Sequence, residues 1–181
     1  MKRRAVKITV FILIAVIIVA VALFLALRWL YPKHYSPLVE KYADEYGIDS
    51  TLVYAIIKCE SNFNENALSS AGAHGLMQIT EATYEWALTR QNEKQAGAVS
   101  LFDPELNIRY GCAIYSILEN EFSEPSVALA AYNAGRGRVL SWLSSNAYSD
   151  DAKTLHTIPF KETDGYVKKV LKTQQIYNLI Y

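Results

Sequence analysis

From Ile8 to Leu27 the chain reads ITVFILIAVIIVAVALFLAL, twenty residues without a charge. As a helix rising ~1.5 Å per residue, such a run spans ~30 Å, the hydrocarbon thickness of a bilayer. Val, Ile and Leu cover every face, so the run lacks the one-sided stripe of a helix packed on a soluble core. Lys2, Arg3, Arg4 and Lys7 precede it, and Trp29 and Tyr31 follow where an interfacial belt would lie. A cleaved signal peptide has an apolar core of ~7–15 residues and a small-residue cleavage site. This run is longer, and Ala20-Val21-Ala22 is embedded in apolar sequence. The run therefore reads as an uncleaved, single-pass anchor. Residues 1–7 form a short basic cytoplasmic segment, 8–30 the span, and 31–181 an extracytoplasmic domain.

About 150 residues lie beyond the span, enough for one hydrophobic core. Formal net charge is zero, which removes any global electrostatic argument for nucleic acid. The two cysteines, Cys59 and Cys112, form no CxxC or Cys/His spacing, so neither a metal nor another cofactor is expected. They fit two small buried apolar residues and, equally, a disulfide that an extracytoplasmic compartment would permit.

The periodicity of the outer domain is helical, and the expected class is mainly α. Ser36 and Pro37 can open a helix that Gly47 ends; Asp49 can cap the next. In that second helix Leu52, Ile56, Cys59 and Phe63 share a stripe, with Val53, Ile57 and Glu60 beside it. Further helices are expected from about Thr80 to Thr89, from Asp103-Pro104 onward, and from Ser126 to Tyr132, the last stopped by Gly135 and Gly137. Residues 144–157 read as a loop, and Thr163 or Asp164 starts a final helix.

Glu60 follows a core stripe where a helix is ending. A carboxyl at an apolar rim is poorly hydrated, which favours its acid form. A general acid near neutral pH needs that property. The polar loop that follows offers hydroxyls and amides from Asn62, Asn64, Asn66, Ser69 and Ser70. Gly72 and Gly75 permit positive φ or close approach of backbone to a ligand. Neutral donors and acceptors of this kind suit sugar hydroxyls and acetamido groups. Tyr132 and Asn133 stand where a second apolar helix ends, so an aromatic ring and an amide can sit at the core's edge.

Glu60-Ser61, Gly75-Leu76-Met77-Gln78, Asn107-Ile108 with Gly111, Ala131-Tyr132-Asn133-Ala134-Gly135, and Glu162-Thr163 with Tyr166-Val167 occur in order. Together they resemble the soluble lytic transglycosylase family, over about Tyr35 to Tyr177. The resemblance implies a lysozyme-like α fold and cleavage of peptidoglycan glycan strands in a bacterial cell envelope. It implies Glu60 as the single catalytic glutamate and Ser69 as a serine bonded to that acid or to substrate. It also implies Gln78 as a groove residue, Tyr132 near the scissile bond with Asn133 its neighbour, and Glu162 as a sugar-contacting carboxylate. Gly75 belongs to the loop motif. Cys59 stands where the family commonly has glutamine, and Thr80-Glu81 where it often has Met-Pro.

The implied mechanism uses one carboxyl twice, as acid and then as base, and yields a 1,6-anhydromuramoyl end. Most glycosidases pair two carboxylates. A goose-type lysozyme, using water, is the nearest alternative and would need a second acid; Asp103, Asp150, Asp151 and Asp164 are candidates. A non-catalytic wall-binding scaffold and a component of an envelope-spanning assembly, with its own protein partners, are the others.

Overall fold

The computed structural model describes residues 2–94 and 98–181; the described residues are mainly helical, with no strand among them. Helix α1 (Lys2–Leu30) stands apart from the rest. Its segment Thr9–Leu30 has mean hydropathy 3.5 and buries none of it within the chain, so it is long and apolar enough to cross a membrane. Its end is tied down. Tyr177 Oη donates to Pro32 O at 2.9 Å and Tyr181 Oη to Tyr31 O at 3.1 Å. Arg28 lies 4.5 Å from the centre of the Tyr181 ring, and Tyr31 meets Tyr177 edge to face.

The domain is built round α3 (Ser50–Glu60), whose Leu52 to Ile57 are all buried. Asp49 starts it by accepting from Thr51 N at 2.9 Å, an N-cap that satisfies one of the helix's orphan donors. Against α3 pack α2 (Ser36–Tyr46) and α8 (Lys161–Ile180), the latter most extensively. Gly47 ends α2 in the left-handed conformation, φ 67°, its N–H turned back to Ala43 and Asp44 carbonyls. The N-cap of α2 is Tyr35, so the helix already contains the expected cap, Ser36. Helix α4 (Glu81–Gln91) is capped by Thr80, whose Oγ1 accepts from Thr83 N. Helix α5 (Pro104–Phe122) is capped by Asp103 through Leu106 N at 2.8 Å. Helices α6 (Pro125–Ala134) and α7 (Arg136–Leu143) complete the set, with α6 against α5, α7 and α8.

Two boundaries differ from expectation. Gly137 lies inside α7, whose Val139, Trp142 and Leu143 are buried at helical spacing. The apolar spacing outweighs one exposed glycine, which costs about 1 kcal/mol relative to alanine. Helix α8 begins at Lys161, before Thr163, with Glu162 and Asp164 in its first turn, where acidic groups complement the helix dipole. Residues 144–157 form the expected loop, made of turns.

Between α3 and α4 the chain runs as an irregular loop over α5. The contact is tight: a methyl group at Gly111 of α5 would overlap the side chain of Met77. Cys59 and Cys112 are free thiols. Cys112 is fully buried in α5, while Cys59 faces α8, its Sγ 3.7 Å from Thr173 Oγ1. The disulfide alternative therefore gives way to two separate thiols, Cys112 buried and Cys59 half-buried.

Candidate active site

Glu60 is the last residue of α3. Ser61 caps the helix end with its N–H on Ile57 O at 3.1 Å, and its hydroxyl donates to Leu76 O at 2.8 Å. One serine thus stops the helix and fastens the following loop beneath the carboxyl. Burial pushes the Glu60 pKa up from 4.5 to about 7, against the opposing effects of the Tyr166 hydroxyl and Lys169. The cause is desolvation of the charged form. Tyr166 Oη is buried without a completed hydrogen bond, and the Glu60 carboxyl is the side chain it acts on. Tyr132 is also held neutral beside Glu60, its pKa raised by burial first and by that carboxyl second.

The loop from Ser61 to Thr80 is held by side chains as much as by backbone. Buried Asn107 on α5 accepts from Met77 N at 2.7 Å and donates to His74 O at 2.9 Å and Leu101 O at 2.7 Å. Gln78, at φ 52°, turns its Nε2 back to Gly75 O at 2.9 Å and Ala67 O at 3.2 Å. Tyr132 Oη donates to Met77 O at 2.9 Å, joining α6 to the same loop. Ser69 Oγ accepts from Ala73 N at 3.0 Å, which leaves its hydroxyl hydrogen to donate elsewhere. Thr163 Oγ1 donates to Asn133 Oδ1 at 2.9 Å and fixes the end of α6 to the start of α8.

These elements enclose three connecting clefts. The first, about 780 Å³, runs from Tyr31 to Glu60, Ser69 and Gln78. The second, about 440 Å³, shares those last three and adds Tyr132, Asn133 and Glu162. The third, about 360 Å³, shares Thr83 and Tyr132 with the second and continues past Trp86. Glu60 therefore stands at the junction of one long groove, and among the described residues Glu162 is the only other carboxylate lining it.

Glu60, Ser69, Gln78, Tyr132, Asn133 and Glu162 thus come together round one groove, from four separate parts of the chain. Gly75 does not line it. It is buried at φ 73°, and a methyl group there would lie 2.5 Å from Asn107 Nδ2 and 2.6 Å from Leu101 O. Its close approach is to Asn107 of α5 and the Leu101 carbonyl, beneath the loop it belongs to. Ser69 bonds Ala73 rather than Glu60. The four aspartates considered for a second acid line none of the three clefts. Asp103 caps α5, Asp164 pairs with Lys168, and Asp150 lies 3.8 Å from His156. Asp151 accepts from Thr154 N and Lys153 N, which lower its pKa from 3.8 to about 2. Sequence reasoning gave no role to Tyr166, Lys169, Ser61 or Asn107. Ser61, Asn107 and Tyr166 stood within the matched motifs, but what each does depends on the packing of elements distant in sequence.

The family model of the transglycosylase SLT domain matches residues 37–155. The soluble lytic murein transglycosylase of Salmonella typhimurium is 36% identical over 150 residues, covering 81% of this chain and 23% of that protein. The membrane-bound lytic murein transglycosylase C of Photorhabdus laumondii is 36% identical over 150 residues, covering 77% and 41%. The chain thus spans less than half of these relatives' length. Among solved structures, an inactive Glu-to-Gln variant of the lytic transglycosylase Slt from Pseudomonas aeruginosa superposes with TM-score 0.71 at 35% identity, covering 82% of this chain and 24% of that one. A 70-kDa soluble lytic transglycosylase in complex with bulgecin A superposes with TM-score 0.74 at 32% identity, covering 84% and 25%. With this match over most of its length, the chain belongs to the transglycosylase SLT domain family.

Proposed function

We propose that the chain is a membrane-anchored lytic transglycosylase that cleaves peptidoglycan between N-acetylmuramic acid and N-acetylglucosamine, with Glu60 as the catalytic group. The observation that carries this reading is one half-buried carboxyl, raised to about 7, at the junction of a long groove. Protonated Glu60 gives its proton to the glycosidic oxygen as the bond to the muramoyl C1 breaks. The substrate's acetamido oxygen stabilises the cationic C1. The Glu60 carboxylate then takes the proton of the muramoyl 6-hydroxyl, whose oxygen closes onto C1. Glu60 ends protonated and no water is consumed. Tyr166 and Lys169 lower the Glu60 pKa, so they favour its carboxylate form in the middle of this cycle. Intramolecular attack has a high effective molarity, so a bound, oriented sugar reacts ahead of solvent. Ser69, Gln78, Tyr132, Asn133 and Glu162 position the strand.

A water-using hydrolase needs a group to activate water opposite the acid. Glu162 is exposed at the rim, and we assign it to sugar contact. Mass spectrometry of released muropeptides separates the two: anhydro ends are lighter than reducing ends by one water. Reducing ends as the sole products would overturn the transglycosylase assignment.

The pH profile follows from the acid's protonation. The rate should fall as pH rises through about 7, because the proton donor is lost. Tyr166→Phe and Lys169→Met each remove a group that favours the carboxylate. Each should move that limb to higher pH and slow the proton-accepting step. A limb that stays in place or moves down in both variants would remove these two residues from the site.

Helix α1 is assigned to the bilayer, with its basic end cytoplasmic. In intact cells stripped of the outer barrier, added protease should digest the C-terminal domain. Protection until lysis would reverse the orientation.

A further inference from the structure

We propose that the groove arm between Glu60 and Tyr31 binds the phosphate ester of a lipid-linked glycan, through Lys58, Lys169 and Lys172. This rests on the glycan-cleaving reading of the groove and on α1 spanning a bilayer. The arm is the largest of the three, about 780 Å³, and Glu60 is its only carboxylate among the described residues. None of the three lysines belongs to an ion pair among the described residues. Of the other cations, Lys33 pairs with Glu40 at 3.3 Å and Arg136, in the far arm, grips Glu121 with two bonds of 2.6 Å. The middle arm has no lysine or arginine and adds Glu162. The groove is therefore electrically polar along its length, cationic only toward α1.

The cationic arm also has a defined height. Tyr31 lines it and bonds its N–H to Leu27 O at 2.8 Å, continuing the helical turn directly beyond the apolar span. The Lys58 ammonium lies 5.6 Å from the centre of the Tyr31 ring. A glycan threaded from Glu60 toward Tyr31 thus arrives at the headgroup layer. Lys58 donates to Asn62 Oδ1 and Lys169 to Cys59 O, which leaves ammonium hydrogens on each for a ligand. An ammonium is a compact point charge on a flexible stem, and in that form lysine binds phosphate. Bound there, the phosphate would mark the lipid-carried end of a strand and set the distance from that end to the cut.

The test uses the full chain with Glu60→Gln, in phosphatidylcholine nanodiscs, so that ligands stay intact. The probes are a polyprenyl-pyrophosphate-linked tetrasaccharide without stem peptides and the same tetrasaccharide with a free reducing end. The lipid-linked form should bind about tenfold or more tighter, the scale of one or more charge-assisted hydrogen bonds. Adding Lys58→Gln and Lys172→Gln should erase that preference, and salt should weaken it. Equal affinities, or a preference that survives the two substitutions, would overturn the proposal. So would a lysine-dependent preference for peptide-bearing free glycan, which would assign the arm to carboxylates. If phosphatidylglycerol in the disc abolishes the preference, bulk lipid phosphate is the occupant and the strand-end role fails. Binding of neither tetrasaccharide would overturn the glycan groove itself, a result distinct from loss of the preference alone.

Discussion

Replacing Glu60 with glutamine should lower turnover by about 10²–10⁴-fold, the usual worth of general acid–base assistance. The same change should make the protein more stable in alkaline solution. Folding raises the Glu60 pKa from 4.5 to about 7, so the folded state favours the protonated form. The contribution of that group to stability is complete below the ordinary carboxylate range. It is lost as pH rises through about 7. A shift of this size corresponds to up to roughly 3 kcal/mol. Glutamine keeps the shape and cannot ionise. Thermal unfolding of wild type and Glu60→Gln should therefore coincide near pH 4 and diverge by pH 8, the variant melting higher. Turnover is measured by muropeptide release. Near-normal release by the variant, or a lower melting temperature at pH 8, would sink the assignment of a desolvated catalytic acid.

Asn107→Ala should be the most damaging single change outside the groove. Its side chain serves one buried donor and two carbonyls at once, Met77 N, His74 O and Leu101 O. Each group left unpaired costs about 1–3 kcal/mol, so with three of them a loss of at least about 3 kcal/mol is expected. That is a large share of an ordinary domain's stability. The loop should suffer first, since it carries Ser69 and Gln78 and is fastened to α5 through this residue. Asn107→Asp should not rescue it. Aspartate can still accept from Met77 N, but it offers a carboxylate to two carbonyl oxygens. Denaturant midpoints measure the global loss, and amide exchange at Met77 measures the local one. An unchanged midpoint with normal protection at Met77 would remove the clamp.

The helices were readable where a local signal marks an end. Asp49 and Asp103 precede apolar periods and cap them, and Gly47 closes α2. The same reasoning failed at Gly137, because a glycine near a helix start is tolerated when the spacing beyond it is apolar. It also placed the start of α8 late, because Phe160 offers no polar cap. At the site, Glu60 was visible from its own neighbourhood, a buried run ending in a carboxyl. Tyr166 and Lys169 were not. They reach Glu60 only because α8 lies along α3, a contact between segments roughly a hundred residues apart. Asn107 looks like any polar residue in a helix's first turn until the loop is laid over it. The cysteines were ambiguous because both alternatives want small buried side chains, and only the direction of Cys59 toward α8 separates them.

Met77 fills the space that any side chain at Gly111 would need. Two positions far apart in the chain therefore own a single volume. A lineage that adds a carbon at 111 has to shorten residue 77 in the same step, or pass through a strained ancestor. Overfilling a packed interior of this kind costs about 1–3 kcal/mol. Drift at either site is thus conditional on the other. The floor of the loop therefore changes slowly, as a linked pair.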